Sequence, residues 1–461
     1  MDAYESHGPM RKAFKLPPHR HALVATLLDT HLQTLRELGN GLGSPLHVVL
    51  PQLFAENVGR LQRLFVEHGI DATLLYAKKA NKADAFARVC ARLGVGVDVA
   101  SCGELAKALA AGVIGENIGV SGPEKTDNLL TLALHHRSLI AIDSLSELRR
   151  LVPLAARYGT RARVLLRSRP ASQPHSRFGL TPAEHETALE LCTDRTQAID
   201  LEGFSFHLGG YSMEQRARMA SAMIDLCLQA QGRGLKTCRQ IDIGGGLPVQ
   251  YVAPGQWQAF LQQDEREHYH AGKSFAGFYP YGADRCGAEA LRDLLEHRLD
   301  DGSNLSHRLR CHGIGLIIEP GRALLDQAGI TLFEVQGIKD RHASDGHAIV
   351  TVRGSSLNLS EQWFNSEYLP DPQLLGQAGV DAQDFLACVG GATCLESDMV
   401  TWRKIAFPRP IRLGDWLVYL NTAGYQMDSN ESPFHEAELP RKVVVELHDG
   451  ATVPHWRLDG I

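Results

Sequence analysis

From about residue 46 the chain alternates short apolar runs with longer amphipathic segments, and this rhythm restricts the possible folds more than any other feature. The runs are LLYAK (74–78), VGVDV (95–99), NIGV (117–120), LIAI (139–142), ARVLL (162–166), LEGFSFHL (201–208), RQIDI (239–243) and IGLII (314–318). Short apolar runs bounded by turn signals read as buried strands. Segments such as LSELRRLVPLAARYG and MEQRARMASAMIDLCLQAQG read as helices. Eight such strands alternating with helices over roughly 250 residues predict an α/β fold of the (β/α)8, TIM-barrel type. A doubly wound open sheet is the competing arrangement.

One connection breaks the rhythm. About 65 residues separate IDIGGG from IGLIIEP, and they are rich in aromatic residues (Trp257, Tyr269, Phe275, Phe278, Tyr279, Tyr281). A loop of that length is usually functional or disordered, and the aromatics favour an ordered lid near the barrel mouth. Beyond about residue 325, GITLFEVQGIKD, HAIVTVRG, GDWLVYLN and RKVVVELHD read as strands without regular helices between them. The expected organisation is therefore an N-terminal arm (1–45) supplying a strand to a β domain, then a barrel (46–325) with an insertion at about 255–310, then a mainly β domain (326–461). SPLHVVLP (44–51) is the strand candidate that precedes the barrel.

Bulk properties exclude several partners. A net charge of −6 gives no basic surface for nucleic acid or anionic membrane. No apolar run approaches the ~20 residues a spanning helix needs, and the polar, proline-broken N-terminus lacks the apolar core of a secretion signal. Nine cysteines without CxxC spacing suit a reducing, cytoplasmic setting. Apart from Cys394, they read as buried small apolar residues. His268 and His270 lack the carboxylate or cysteine spacing of a metal site, so no metal is expected.

In a barrel, chemistry collects at the C-terminal ends of the strands. The first end, YAKKANK, carries Lys78 and Lys79, where a buried lysine is costly unless paired or covalently occupied. The sixth, SFHLGG, delivers His207, and the seventh, DIGGGLP, delivers Gly244, Gly245 and Gly246. Consecutive glycines allow close backbone approach, so their N–H groups can cradle a phosphate. The eighth, IIEPGRAL, brings Glu319, Gly321 and Arg322. Each feature alone has a bland structural reading: solvated lysines, a hydrogen-bonded core histidine, a tight loop, an ion pair. Together they supply an amine, a phosphate site and a carboxylate, the parts needed for pyridoxal 5′-phosphate (PLP).

YAKKANK, GVDVASCGEL, AIDSLSEL, RFGL, FHLGG, DIGGGLP, EPGRAL, GGATCLESD and AGYQMD, in that order, resemble the fold-type III PLP decarboxylases. That family includes the diaminopimelate, ornithine and biosynthetic arginine decarboxylases, and the resemblance covers about nine-tenths of the chain. It implies an alanine racemase-like barrel with a β domain. By the same resemblance Lys79 matches the lysine that carries PLP as a Schiff base, and His207 the histidine that stacks on its ring. Gly244 to Gly246 match the phosphate loop, and Glu319 the carboxylate facing the pyridine nitrogen. Gly321, Arg322 and Tyr425 match positions around phosphate and substrate, while Asp98 and Arg167 fall on less specific positions near the cofactor. Cys394 matches a cysteine that enters the neighbouring subunit's site, which implies a twofold homodimer with composite sites.

The resemblance further implies decarboxylation of a small amino acid or a conjugate of one. A carboxylate at the pyridine nitrogen keeps the ring protonated, which suits the electron sink that decarboxylation requires. A racemase or epimerase, or a non-catalytic PLP-binding regulator, are the alternatives. The family's acidic residue directly after the cysteine, for a distal ammonium, is Leu395 here, with Glu396 one place later. The arginine that diaminopimelate enzymes use for a distal carboxylate has no clear match in VRGSSLNLSEQWF. The expected substrate therefore has a distal end that is less charged, conjugated, or held by Glu396.

Overall fold

The computed structural model describes residues 13–359, 361, 365–376, 384–447 and 453–460. Eight parallel strands close into a barrel. They are β2 (Ala72–Ala77), β3 (Gly96–Val99), β4 (Ile118–Val120), β5 (Leu139–Ile142), β6 (Ala162–Arg167), β7 (Ile199–Ser205), β8 (Gln240–Asp242) and β9 (Gly315–Ile318). Closure comes from β2 pairing with β9, Leu74 opposite Ile318, which removes the open-sheet alternative. The eight apolar runs of the sequence all fall on these strands. Leu75, Leu139, Leu165 and Ile317 pack inside the ring as a separate apolar cluster. That cluster fills the barrel, leaving the C-terminal strand ends as the place for chemistry.

The helices between the strands begin where side chains satisfy their free N–H groups. Ser144 accepts from Glu147 N ahead of Leu145–Arg157, and Thr181 with Glu184 forms a capping box ahead of Pro182–Asp194. Ser212 accepts from Gln215 N ahead of Met213–Gly232. Such caps contribute about 1 kcal/mol each.

Among the described residues the second sheet has nine strands. One comes from the N-terminal region: β1 (Leu46–Val49) pairs antiparallel with β10 (Gly329–Lys339) and parallel with β16 (Arg441–Glu446). The rest of its main path runs through β11 (Ala348–Val352), β13 (Phe385–Gly390) and β14 (Met399–Phe407), with β17 (His455–Leu458) at the other edge. β15 (Trp416–Tyr419) pairs with β10 and with β12 (Gln373–Leu374).

The insertion after β8 is ordered. It holds the helices Pro254–Gln263, Ala288–Glu296 and Leu305–His312, with Trp257 and Tyr281 buried. Its middle is tied to the β domain: Ser366 Oγ donates to the Gly277 carbonyl at 3.0 Å, and Lys404 Nζ donates to that of Glu267 at 2.9 Å. His270 sits beside His347, with 3.1 Å between ring nitrogens. Among the described residues no helix is long and apolar enough to cross a membrane. All nine cysteines are free thiols, but the expectation that every one but Cys394 is buried needs correction. Cys102 and Cys311 are exposed and Cys286 is half-buried, because all three lie outside the strands and the inward faces of the barrel helices.

Candidate active site

The first barrel strand ends in a single 3-10 turn, Lys78–Ala80, which turns its two lysines in different directions. Lys78 is buried and its ammonium donates to the Lys82 carbonyl at 3.3 Å, while burial pulls its pKa below the usual lysine range. Lys79 opens onto a cavity of about 610 Å³ at the barrel mouth. Lys82 pairs with Glu431 away from it.

Asp98 and Glu319 act on the Lys79 amine, and Asp242 in turn acts on Glu319. Asp98, at the end of β3, has Oδ2 3.9 Å from Lys79 Nζ, and its Oδ1 has no hydrogen-bond partner among the described residues. Burial, then the like charge of Glu319, push Asp98 up to about 8. Burial, then Asp242, push Glu319 likewise to about 8. Asp242, on β8, rises to about 6 through burial, although it accepts from Gly244 N at 2.8 Å. Burial opposes the charge on Lys79, yet Asp98 and Glu319 outweigh it and hold the amine above the usual lysine range. The strand ends thus keep one cation among acids that release their protons late.

The glycine loop follows β8 and is fixed from two sides. Gly244 (φ 65°) and Gly246 (φ 89°) lie in the left-handed region, which favours glycine. A Cβ at Gly245 would stand 2.6 Å from the Glu319 carbonyl, and one at Gly246 would strike the Arg216 guanidinium. Arg216 is buried and donates to the carbonyls of Ile243 (2.9 Å), Leu208 and Gly210 (both 3.3 Å), joining the loops after β7 and β8. His207 faces this loop. Burial, with Lys79 and Arg216 nearby, lowers it to about 3, so it presents a neutral imidazole.

Arg322 is the second cation of the cavity. It donates to the Gly424 carbonyl at 2.9 Å, stands 3.9 Å over the Tyr279 ring and 5.0 Å from that of Tyr425, and lies 3.8 Å from Glu361. Tyr425 has φ 77°, a strained value for a side-chain-bearing residue, and its N–H donates to the Ala80 carbonyl at 2.8 Å. That bond ties the β domain to the lysine turn. Gly321 admits Tyr425 closely, since a Cβ there would stand 2.8 Å from the phenol oxygen.

The structure therefore brings Lys79, His207, Gly245, Gly246, Glu319, Gly321, Arg322 and Tyr425 to one cavity wall. Asp98 and Arg167 stand behind it, Arg167 donating to Asp143 at 3.0 Å and resting 4.4 Å from the Phe178 ring. Cys394 and Glu396 are exposed and do not line the cavity, and Cys394 Sγ lies 3.2 Å from His435 Nε2. Sequence reasoning missed Asp242, Tyr211 and Glu361. Asp242 carried the same strand-end signal as Glu319. Tyr211 follows His207 by four residues, but Glu361 reaches the cavity from the β domain and leaves no local mark. Phe278 and Tyr279 of the aromatic insertion do line the cavity, whereas Trp257, Tyr269 and Tyr281 are buried elsewhere in the packing.

A barrel of this kind, with an amine, a glycine loop and a carboxylate at its mouth, defines a PLP-binding protein of the alanine racemase-like fold. Residues 55–271 match the family described as pyridoxal-dependent decarboxylase, pyridoxal binding domain. The chain is 37% identical to the y4yA protein of Sinorhizobium fredii, over 94% of this chain and 95% of that one. It is 26% identical to the diaminopimelate decarboxylase of Bacillus subtilis, covering 88% and 87% of the two. The structure of Helicobacter pylori diaminopimelate decarboxylase with L-lysine shares the fold, with a TM-score of 0.70 at 18% identity, covering 92% of this chain and 95% of that one. This chain belongs to the fold-type III PLP-dependent decarboxylases, and its cofactor is PLP.

Proposed function

We propose that this protein decarboxylates an amino acid or an amino-acid conjugate, with Lys79 as the residue that carries PLP. The observation that carries the reading is the setting of Lys79: an accessible amine, 3.9 Å from a buried carboxylate, facing Glu319 across one cavity. The residues fit the cofactor. Asp98 Oδ1 is buried without a partner among the described residues, the glycine loop leaves no room for side chains, and Arg322 adds a cation. Gly244 to Gly246 and Arg322 would hold the phosphate, His207 would lie against the ring, and Glu319 would meet the ring nitrogen.

Bound there, PLP supplies an electron sink for the pair left at Cα when CO₂ departs. The chain's own groups do the rest. Glu319, as a carboxylate at the inner end of the site, would keep the ring nitrogen protonated through its opposite charge. Phe278 and Tyr279 narrow the cavity and keep water from the reacting atoms. Arg322 and Tyr425 orient the substrate. The Cys394 thiol returns a proton to Cα, acting in a second copy's site as part of a twofold homodimer. Its exposure on its own chain, away from the cavity, supports that placement. Nine free thiols support a reducing, cytoplasmic setting.

Borohydride reduction of the PLP-loaded enzyme followed by peptide mapping tests the lysine. The expected tag is on Lys79; a tag on Lys78 or Lys82 would overturn the assignment. Lys79→Ala should retain its fold by circular dichroism and lose the cofactor's visible band and all turnover.

A further inference from the structure

Beside the barrel-mouth cavity lies a smaller one of about 240 Å³, walled by the insertion on one side and by the β domain on the other. Glu361, Asn365 and Ser366 line both, so the two spaces meet across these three side chains. A group extending from the large cavity past Glu361 enters the small one.

The small cavity has two kinds of unmet demand. Glu367 is 4% exposed, and its Oε1 accepts from the N–H groups of Trp402 and, at 3.1 Å, Arg403. Its Oε2 has no hydrogen-bond partner among the described residues. A buried carboxyl oxygen left without a partner is costly, so this wall favours a ligand that offers a hydrogen bond. Glu361 adds a second carboxylate, with Oε1 accepting from Gln426 and lying 3.8 Å from Arg322. Opposing these acids is Lys273. Its ammonium lies 5.4 Å from the Phe275 ring and 5.2 Å from that of Trp402, with no carboxylate partner among the described residues. That cation favours an acceptor.

A charged distal group meets only half of this wall. A carboxylate would suit Lys273 and face two acids, while an ammonium would suit the acids and face Lys273 and Arg322. Either ion would also shed its hydration on entry. A neutral amide offers an N–H to a carboxyl and a carbonyl to the ammonium, and its flat face suits Phe275 and Trp402.

We propose that the small cavity binds the far end of the substrate, and that this end is a carboxamide or an amide-linked group. The inference deepens the decarboxylase reading and rests on it for the position of the reacting carbon. It replaces the expected distal anchor, Glu396, with Glu361, Glu367 and Lys273.

The test is calorimetric titration of the PLP-loaded enzyme with elongated primary amines of matched length, which lack the α-carboxyl and cannot react, ending in carboxamide, carboxylate or ammonium. The carboxamide should bind about tenfold tighter than either ion, a difference of about 1.4 kcal/mol. In Lys273→Ala the advantage over the ammonium should shrink, because the repelling cation is gone. In Glu361→Gln the advantage over the carboxylate should shrink for the opposite reason. Wild-type enzyme that binds either ion as tightly as the carboxamide, or that fails to bind the carboxamide, overturns the proposal. So do two variants that both keep the wild-type margins. These amines bind without turnover, so binding in the expected order by an enzyme that releases no CO₂ from the matching α-amino acids would refute the decarboxylase reading and leave this one standing.

Discussion

Lys79 Nζ lies 3.9 Å from Asp98 Oδ2, and that distance couples an accessible lysine at the barrel mouth to a carboxylate that is only 2% exposed. β2 and β3 are neighbours with Ala77 opposite Asp98, so the pairing of two strands, not a flexible loop, sets the separation. Behind the pair stand Glu319 and Asp242, on strands that close the ring. An amine held this way stays in one place while its surroundings hold or release protons.

The acids give the cofactor-free protein a defined pH response. Asp98 rises from 3.8 and Glu319 from 4.5, both to about 8. A carboxyl with a folded pKa above its unfolded one binds its proton more tightly when folded. Its stabilisation is complete below the unfolded pKa and is lost as pH rises through the folded one. Lys79 keeps its charge throughout this window, since its pKa is raised. The melting temperature of the cofactor-free enzyme should therefore fall between about pH 4 and pH 8 and level off above that, and Asp98→Asn should flatten the slope. An unchanged slope in that variant would show that Asp98 is not the group responsible.

Glu319 is expected to matter for rate more than for binding. Glu319→Gln should keep PLP bound, as judged by its visible band, and slow turnover by orders of magnitude. Lost stabilisation of developing charge in a dry site is worth about 3–4 kcal/mol. Near-normal turnover in the variant would remove Glu319 from the account.

Much of this site could be read from strand ends. β2, β8 and β9 are short and buried at their C-terminal ends, so their apolar runs stop abruptly, and just beyond them come Lys78 and Lys79, Gly244, and Glu319. Asp242 was equally readable but lies inside the run IDI, where an acid looks like an interruption. The rest depends on tertiary approach. Tyr279 reaches Arg322 from the insertion, 43 residues earlier in the chain, and Glu361 reaches it from the β domain. No local pattern encodes either meeting. The same limit applies to Glu396, which looks like a shifted anchor in the sequence and stands exposed, outside the cavity, in the fold.

The composite-site proposal has a direct genetic form. Lys79→Ala and Cys394→Ala homodimers should each be nearly inactive. After subunit exchange, an equal mixture should recover up to about a quarter of wild-type activity, since half the dimers are mixed and each has one intact site. Recovery absent despite proven exchange would place both residues in the same chain's site.

The central claim is that this barrel removes CO₂ from an amino acid. It is tested most directly by incubating the PLP-loaded enzyme in deuterated water with carboxyl-labelled amino acids, including amide-ended ones, and measuring labelled CO₂ and the fate of Cα together. The account predicts labelled CO₂ with one deuterium at Cα of the resulting amine, both abolished in Lys79→Ala. Deuterium at Cα of the recovered amino acid, with inverted configuration and no labelled CO₂, would contradict it and identify a racemase.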